Sequence, residues 1–279
     1  MITDVHTHLI DYATEMSDKI KSDLRRCRLE SKWAYGEDDY AAASAAADRV
    51  FVFGLRARAT GWFSDNARVA AFADKDPKRY VFVAAIDPLD PDYMDQLEHS
   101  HKNLRAKMVK LGPIYQGVHP LDEKYGRIYS YCQKNNLPII THMATTFASG
   151  VPLEYARPAL MDRVSCEYPE LKIILAHLGH PWEEEAIAAI RKQPNLYADI
   201  SALYYRPFRF YQSMRLLEEY GAQEKVFFGS DYPACTTGDS LAGIRNVNAV
   251  AEGSSFPKVS KEIVEDIINR DPAAVLGID

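Results

Sequence analysis

The sequence predicts an α/β barrel of eight parallel strands, the (β/α)8 or TIM-barrel architecture, on three observations. First, eight short apolar runs recur along the chain, at residues 2–5, 50–53, 81–86, 108–111, 138–141, 173–176, 196–200 and 226–228. Each is β-branched or aromatic and too continuous for a half-exposed strand, so each reads as buried parallel sheet. Second, amphipathic stretches such as 66–74, 125–134 and 183–192 lie between them. After the second run the spacing is roughly 25–35 residues, that of successive βα units. Third, eight runs match the strand count of the barrel. A doubly wound open sheet would carry a glycine-rich phosphate loop after its first strand, and the sequence has none there.

Taken in order, the first run ends in His6-Thr7-His8. Side chains alternate along a strand, so the two imidazoles are expected on one face at its C-terminal tip. The next connection, residues 9–49, is longer and more charged than the others, with helices expected at 17–30 and 40–47. An enlarged first βα loop of this kind is expected to cover the barrel mouth. From the second run onward the units follow without a Pro/Gly/Ser linker or a break in composition, which predicts one domain over residues 1–279. The acidic run Glu183-Glu184-Glu185 stands where a helix should begin and suits its dipole.

Composition narrows the classes. The chain is 47% hydrophobic and 26% charged, ordinary for a soluble globule. A net charge of -6 without a long basic run disfavours nucleic acid and acidic membranes as partners. No apolar run approaches the roughly 20 residues of a membrane span, and no signal peptide is expected. Cys27, Cys132, Cys166 and Cys235 are scattered without CxxC pairing, as expected of reduced thiols in a cytoplasm.

Active sites of such barrels lie at the C-terminal strand ends. Strand one ends at His6 and His8, strand four at Lys110 and strand five at His142. Strand six ends at His177, followed by His180, and strand eight runs into Asp231. Five of the eight histidines thus fall on or just after strand tips. Imidazoles with one carboxylate form the ligand set of a catalytic zinc or similar divalent ion with an open position. Arg56 and Arg58 follow strand two, where they are expected to clamp a substrate carboxylate or to sit solvated in the loop. Tyr115, Thr145, Thr146, Tyr204, Tyr205 and Cys235 lie in βα loops that could line a pocket. A thiol nucleophile at Cys235 is disfavoured for want of a base.

These same segments resemble the amidohydrolase superfamily, in particular the amidohydrolase-related branch that includes aminocarboxymuconate semialdehyde decarboxylase. The resemblance runs through Asp4-Val5-His6-Thr7-His8, the segment 79–88 (Arg-Tyr-Val-Phe-Val-Ala-Ala-Ile-Asp-Pro), Val109-Lys-Leu-Gly-Pro113 and Leu137-Pro-Ile-Ile-Thr-His142. It continues through Ile174-Leu-Ala-His-Leu-Gly179, Gly229-Ser-Asp-Tyr-Pro233 and Asn269-Arg-Asp-Pro-Ala-Ala-Val-Leu-Gly277. It implies that His6, His8, His142 and Asp231 hold one divalent ion, zinc first and manganese or another ion as alternatives. It implies a catalytic role beside the ion for His177.

With such an ion in place, hydroxide becomes available at neutral pH. Asp231 would take and return a proton while His177 orients the water or polarises the substrate. That chemistry points first to a metal-dependent hydrolase of a small, anionic organic substrate. The close alternative is a non-oxidative decarboxylase of an aromatic or unsaturated acid, in which Asp231 or His177 handles the proton that replaces carbon dioxide. A barrel that binds metal without catalysis is the remote alternative, disfavoured because both proton-handling residues are present. Related binuclear hydrolases bridge two metals with a carboxylated lysine on strand four. Here Lys110 is instead expected as a plain ammonium that binds an anionic substrate or pairs with a carboxylate near the site. Arg56 is a further candidate for substrate binding, and His180 is expected either to point into the site to bind substrate or to cap the helix that begins near Trp182. A homo-oligomer is compatible with the long first loop.

Overall fold

A computed structural model describes residues 1–29 and 36–278. The C-terminal end of the helix expected at 17–30 therefore lies partly outside the described residues. Eight parallel strands form the sheet: β1 (Thr3–His8), β2 (Arg49–Phe53), β3 (Tyr80–Ala85), β4 (Met108–Leu111), β5 (Ile139–Thr141), β6 (Ile173–Leu175), β7 (Leu196–Asp199) and β8 (Val226–Phe227). They pair in sequence order. The ends of the sheet also meet: Val5 N donates to Phe228 O at 3.1 Å, Asp231 N to His6 O at 2.8 Å and His8 N to Tyr232 O at 2.9 Å. These bonds bring β8 back beside β1 as a nearly closed barrel, which removes both sheet edges.

The core follows from which face each apolar residue takes. Val5, Phe51, Phe53, Val83, Ile140 and Ile174 fill the barrel interior, and Ala273 and Leu276 of the C-terminal helix Pro272–Leu276 pack with them. A larger layer lies between the sheet and the outer helices. A third cluster joins Ile20 and Leu24 of the helix Asp18–Arg26 to Leu55, Trp62, Tyr115 and Ala148. The enlarged first loop contributes Leu29 to the wall of the cavity over the strand ends. Its second helix spans Glu37–Ala43, earlier than expected at 40–47, because Gly36 starts it and three acids fill its first turn.

Two local devices seat the first strand. A bulge between Asp4 and Thr7 breaks the register with β2. Bulges re-aim side chains, and this one lets Val5, His6 and His8 all serve the interior although strict alternation would separate Val5 from the histidines. Thr7 points outward, its Oγ1 2.5 Å from Tyr40 Oη and donating to Phe51 O at 2.7 Å. Buried Asp4 then ties β1 to the end of β8, accepting from Ser230 N at 2.9 Å and Thr237 Oγ1 at 2.7 Å. Burial pushes its carboxyl up to about 6 against those bonds. Among the described residues no helix is long and apolar enough to cross a membrane.

Candidate metal centre and active-site cavity

His6, His8 and Asp231 converge at the barrel axis. His6 Nε2 and His8 Nε2 are 3.2 Å apart, and each lies 3.3 Å from Asp231 Oδ1. Burial, then the charge of Lys110, holds both imidazoles well below their ordinary protonation range. They are therefore neutral and carry the lone pairs a metal needs. A donor triangle with edges of this size is one face of a coordination polyhedron whose bonds are about 2.0–2.2 Å long. The donor set fits a divalent ion.

Each group is positioned by its strand end. His6 Nδ1 lies 2.9 Å from Asp199 Oδ2, the last residue of β7, which points its Nε2 at the centre. Gly229 lies close beside it: a Cβ there would stand 3.0 Å from His6 Cβ and 3.3 Å from Ser201 Cβ, so a larger residue would press on both. His177 and Asp231 both take left-handed backbone, with φ of 58° and 62°. Non-glycine residues rarely do so, and such strain concentrates at functional sites. His142 stands beside His177 rather than in the triangle, its Nδ1 3.1 Å from His177 Nε2 and its Nε2 3.2 Å from Thr145 O. Burial, then Lys110, pushes His142 down to about 3.

Lys110 reaches the same floor. Its Nζ is 3.3 Å from His6 Nε2 and 4.8 Å from the centre of the Phe53 ring. Burial pushes this ammonium down to about 8 against the pull of Asp199 and Asp231. Above the floor opens a cavity of about 480 Å³ walled by Leu55, Trp62, Tyr115, Phe147 and Tyr205. Thr145, Thr146 and His180 also line it, as does Arg206. Arg206 sits 4.5 Å from the Tyr205 ring centre and donates to Ala202 O at 2.9 Å. Among the described residues it makes no ion pair with a carboxylate.

The amidohydrolase family model matches residues 3–278. The chain belongs to the amidohydrolase family. No curated protein matches it by sequence. Among solved structures, this amidohydrolase is similar to an uncharacterized TIM-barrel protein from Bordetella bronchiseptica, at 20% identity and a TM-score of 0.73 over 99% of both chains. A probable 2-pyrone-4,6-dicarboxylic acid hydrolase from Acinetobacter baumannii, with citric acid bound, aligns at 14% identity and a TM-score of 0.69 over 99% of both chains. A dihydroxybenzoic acid decarboxylase from Polaromonas sp. JS666, with bound manganese and 2-nitroresorcinol, aligns at 15% identity and a TM-score of 0.66 over 99% of this chain and 96% of that one. At these identities the likeness carries the fold.

The structure places most sequence-derived site residues of this amidohydrolase around one cavity: His8, Lys110, His142, His177, His180 and Asp231 line it, with His6 beneath. Arg56 is the correction. Its guanidinium donates to Asp90 at 2.6 and 3.1 Å and to Ser64 O at 3.0 Å, and it does not line the cavity. Arg58 pairs with the same carboxylate at 2.9 Å. The carboxylate these arginines bind is the protein's own, on the loop after β3. Tyr204 likewise turns away and donates to Gly229 O at 2.8 Å. Three residues escaped the sequence reading: Asp199, Ser201 and Arg206. Asp199 carried the same signal as Asp231, a carboxylate at a strand tip, but lay inside a run read as apolar.

Proposed function

We propose that this amidohydrolase is a metal-dependent, non-oxidative decarboxylase of a small aromatic or unsaturated carboxylic acid. The observation that carries the reading is the cavity itself. Aromatic walls suited to a planar ring stand over the His6–His8–Asp231 triangle, with one cation on the floor, Lys110, and one on the wall, Arg206. His6, His8 and Asp231 would hold the ion, with His142 the further ligand that the family resemblance implies. Bound there, it would supply positive charge to the substrate's carboxylate and a neighbouring oxygen. The decarboxylases among similar folds support this order over the hydrolytic reading that the sequence put first.

The chain's own residues divide the remaining work. Trp62, Tyr115 and Phe147 wall the ring off from water, and Arg206 binds an anionic group of the substrate through charge-assisted bonds. The bond between ring carbon and carboxylate breaks, carbon dioxide leaves, and the electron pair stays on the carbon. Asp231, protonated from water before the step, delivers that proton to the carbon through the oxygen turned away from the histidines and is left as the carboxylate. His177 holds the substrate's adjacent hydroxyl by accepting its hydrogen bond at Nε2. Manganese in a similar decarboxylase makes it the first ion to load, with zinc beside it. The four cysteines, scattered without CxxC spacing, fit a cytoplasmic protein.

Carbon dioxide release is measured over a panel of hydroxybenzoic and unsaturated acids with the protein loaded with Mn²⁺ or Zn²⁺. The expected result is metal-dependent release from at least one aromatic acid. Turnover of lactones or amides with no release from any acid would overturn the reading in favour of hydrolysis.

A further inference from the structure

We propose that Asp199 and Ser201 form one hydrogen-bond relay that fixes the tautomers of His6 and His177 together, making Ser201 a positioning residue. The inference rests on the metal-centre reading above. Both residues are wholly buried, so water does not compete for their bonds. Asp199 Oδ1 accepts the backbone N–H of His177 at 3.1 Å and of Ser201 at 3.0 Å. With two donors aimed at it, that oxygen has no room for a proton of its own. The Ser201 hydroxyl, which also contacts Oδ1, must therefore donate to it.

The hydroxyl proton is then committed, which decides the histidine. His177 Nδ1 lies 2.8 Å from Ser201 Oγ and 3.3 Å from Ser201 O, both now acceptors, so Nδ1 carries the hydrogen. The neutral ring leaves Nε2 bare, facing His142 Nδ1 at 3.1 Å. On its other oxygen Asp199 takes His6 Nδ1 at 2.9 Å, with Ser201 Oγ a second neighbour at 3.3 Å, and this leaves His6 Nε2 bare toward His8 and Asp231. One carboxylate sets a ligand directly and the catalytic imidazole through a serine. A ring nitrogen is assigned by the bond its partner nitrogen makes, and here two rings share one such anchor.

The two arms of the relay separate by mutation of the full-length protein. Mn²⁺ affinity is read by competition with a chelator. Imidazole ¹⁵N shifts are read in the metal-free, histidine-labelled protein, with His177→Ala assigning the His177 pair. Asp199→Asn should lower Mn²⁺ affinity about 10- to 100-fold, as loss of a ligand's orienting partner does. Ser201→Ala should keep Mn²⁺ affinity within about threefold of wild type, since the His6–Asp199 bond survives. It should also move His177 from the Nδ1–H pattern toward a two-tautomer average, because only the longer carbonyl contact remains. Ser201→Thr should restore the wild-type pattern. An unchanged His177 pattern in Ser201→Ala, or a loss of Mn²⁺ affinity as large as that of Asp199→Asn, overturns the proposal. If Asp199→Asn does not fold, the Ser201 variants decide alone. Neither readout involves turnover, so failure to release carbon dioxide would sink the decarboxylase reading and leave this one standing.

Discussion

The floor of the cavity and its rim are built from different material. On the floor, His6, His8, Lys110, His142 and His177 sit on or just past strand ends and are at most 7% exposed. Their donor atoms meet at about 3 Å, and His6 and His177 are held by the buried Asp199 and Ser201. The rim is loop: Trp62 from a two-residue hairpin strand, Phe147 from the connection after β5, and Tyr205 and Arg206 from the one after β7. Tyr205 is 50% exposed, and Ala202, where its loop turns, takes a left-handed φ of 58°. The difference teaches where each property resides. On the proposed reading, charge and proton handling belong to the sheet, which cannot shift without breaking the barrel, whereas choice of substrate belongs to segments that can vary without disturbing it.

Breaking the floor should have the largest effect. His8→Ala removes one corner of the donor triangle, so metal content measured by elemental analysis should fall below one-tenth of wild type and activity with it. His177→Ala is the contrast. It should keep its metal and lose about 10²- to 10⁴-fold in kcat, the range of a positioned acid–base group. If His177→Ala loses the metal as well, His177 is a ligand, and the division between holding the ion and handling the proton fails.

At the rim the expected effect is smaller and of another kind. Arg206→Gln should raise KM about 10- to 100-fold, as expected for one lost charge-assisted bond, and change kcat by less than about threefold because the floor is untouched. Steady-state kinetics on the best acid of the panel reads both. A fall in kcat with KM unchanged would place Arg206 among the groups that act in the transition state and erase the contrast between rim and floor.

This division also explains what was legible beforehand. Strand number and order could be read because each strand is a short apolar run with a polar residue at its end. His6, His8, His142, His177 and Asp231 are those end residues. Asp199 was equally readable in principle. Ile200 follows it, so the run reads as apolar to its end and hides the carboxylate. Ser201 matters only through atoms distant in sequence, 24 residues to His177 and 195 to His6, and no local pattern marks such a contact. Arg56 and Arg206 failed in opposite directions for one reason: an arginine's partner is set by which carboxylate the fold brings near. Asp90 reaches Arg56 from the loop after β3, and no carboxylate pairs with Arg206 among the described residues.

The smallest effect expected lies under the rim, where Glu183 supports His180. Its carboxylate is 2.7 Å from His180 Nδ1 and accepts from Arg209 Nη2 at 2.5 Å and from Arg209 Nε, shared between its two oxygens, at 3.1 Å. Burial alone would raise this carboxyl, but the bonds from His180 and Arg209 outweigh it and hold it below the ordinary 4.5. A carboxyl depressed in the folded state contributes stability that is fully present above its unfolded value. That contribution drains away as pH falls through the folded value. Glu183→Gln should therefore cost about 1–2 kcal/mol at pH 7, less than a fully buried pair because Arg209 is partly exposed. The gap between wild type and variant should narrow as pH falls below about 4.5. Urea midpoints taken from pH 7 downward measure it. A gap that instead widens on acidification would mean that Glu183 is held protonated in the fold, and that His180 is steered into the cavity by something other than this carboxylate.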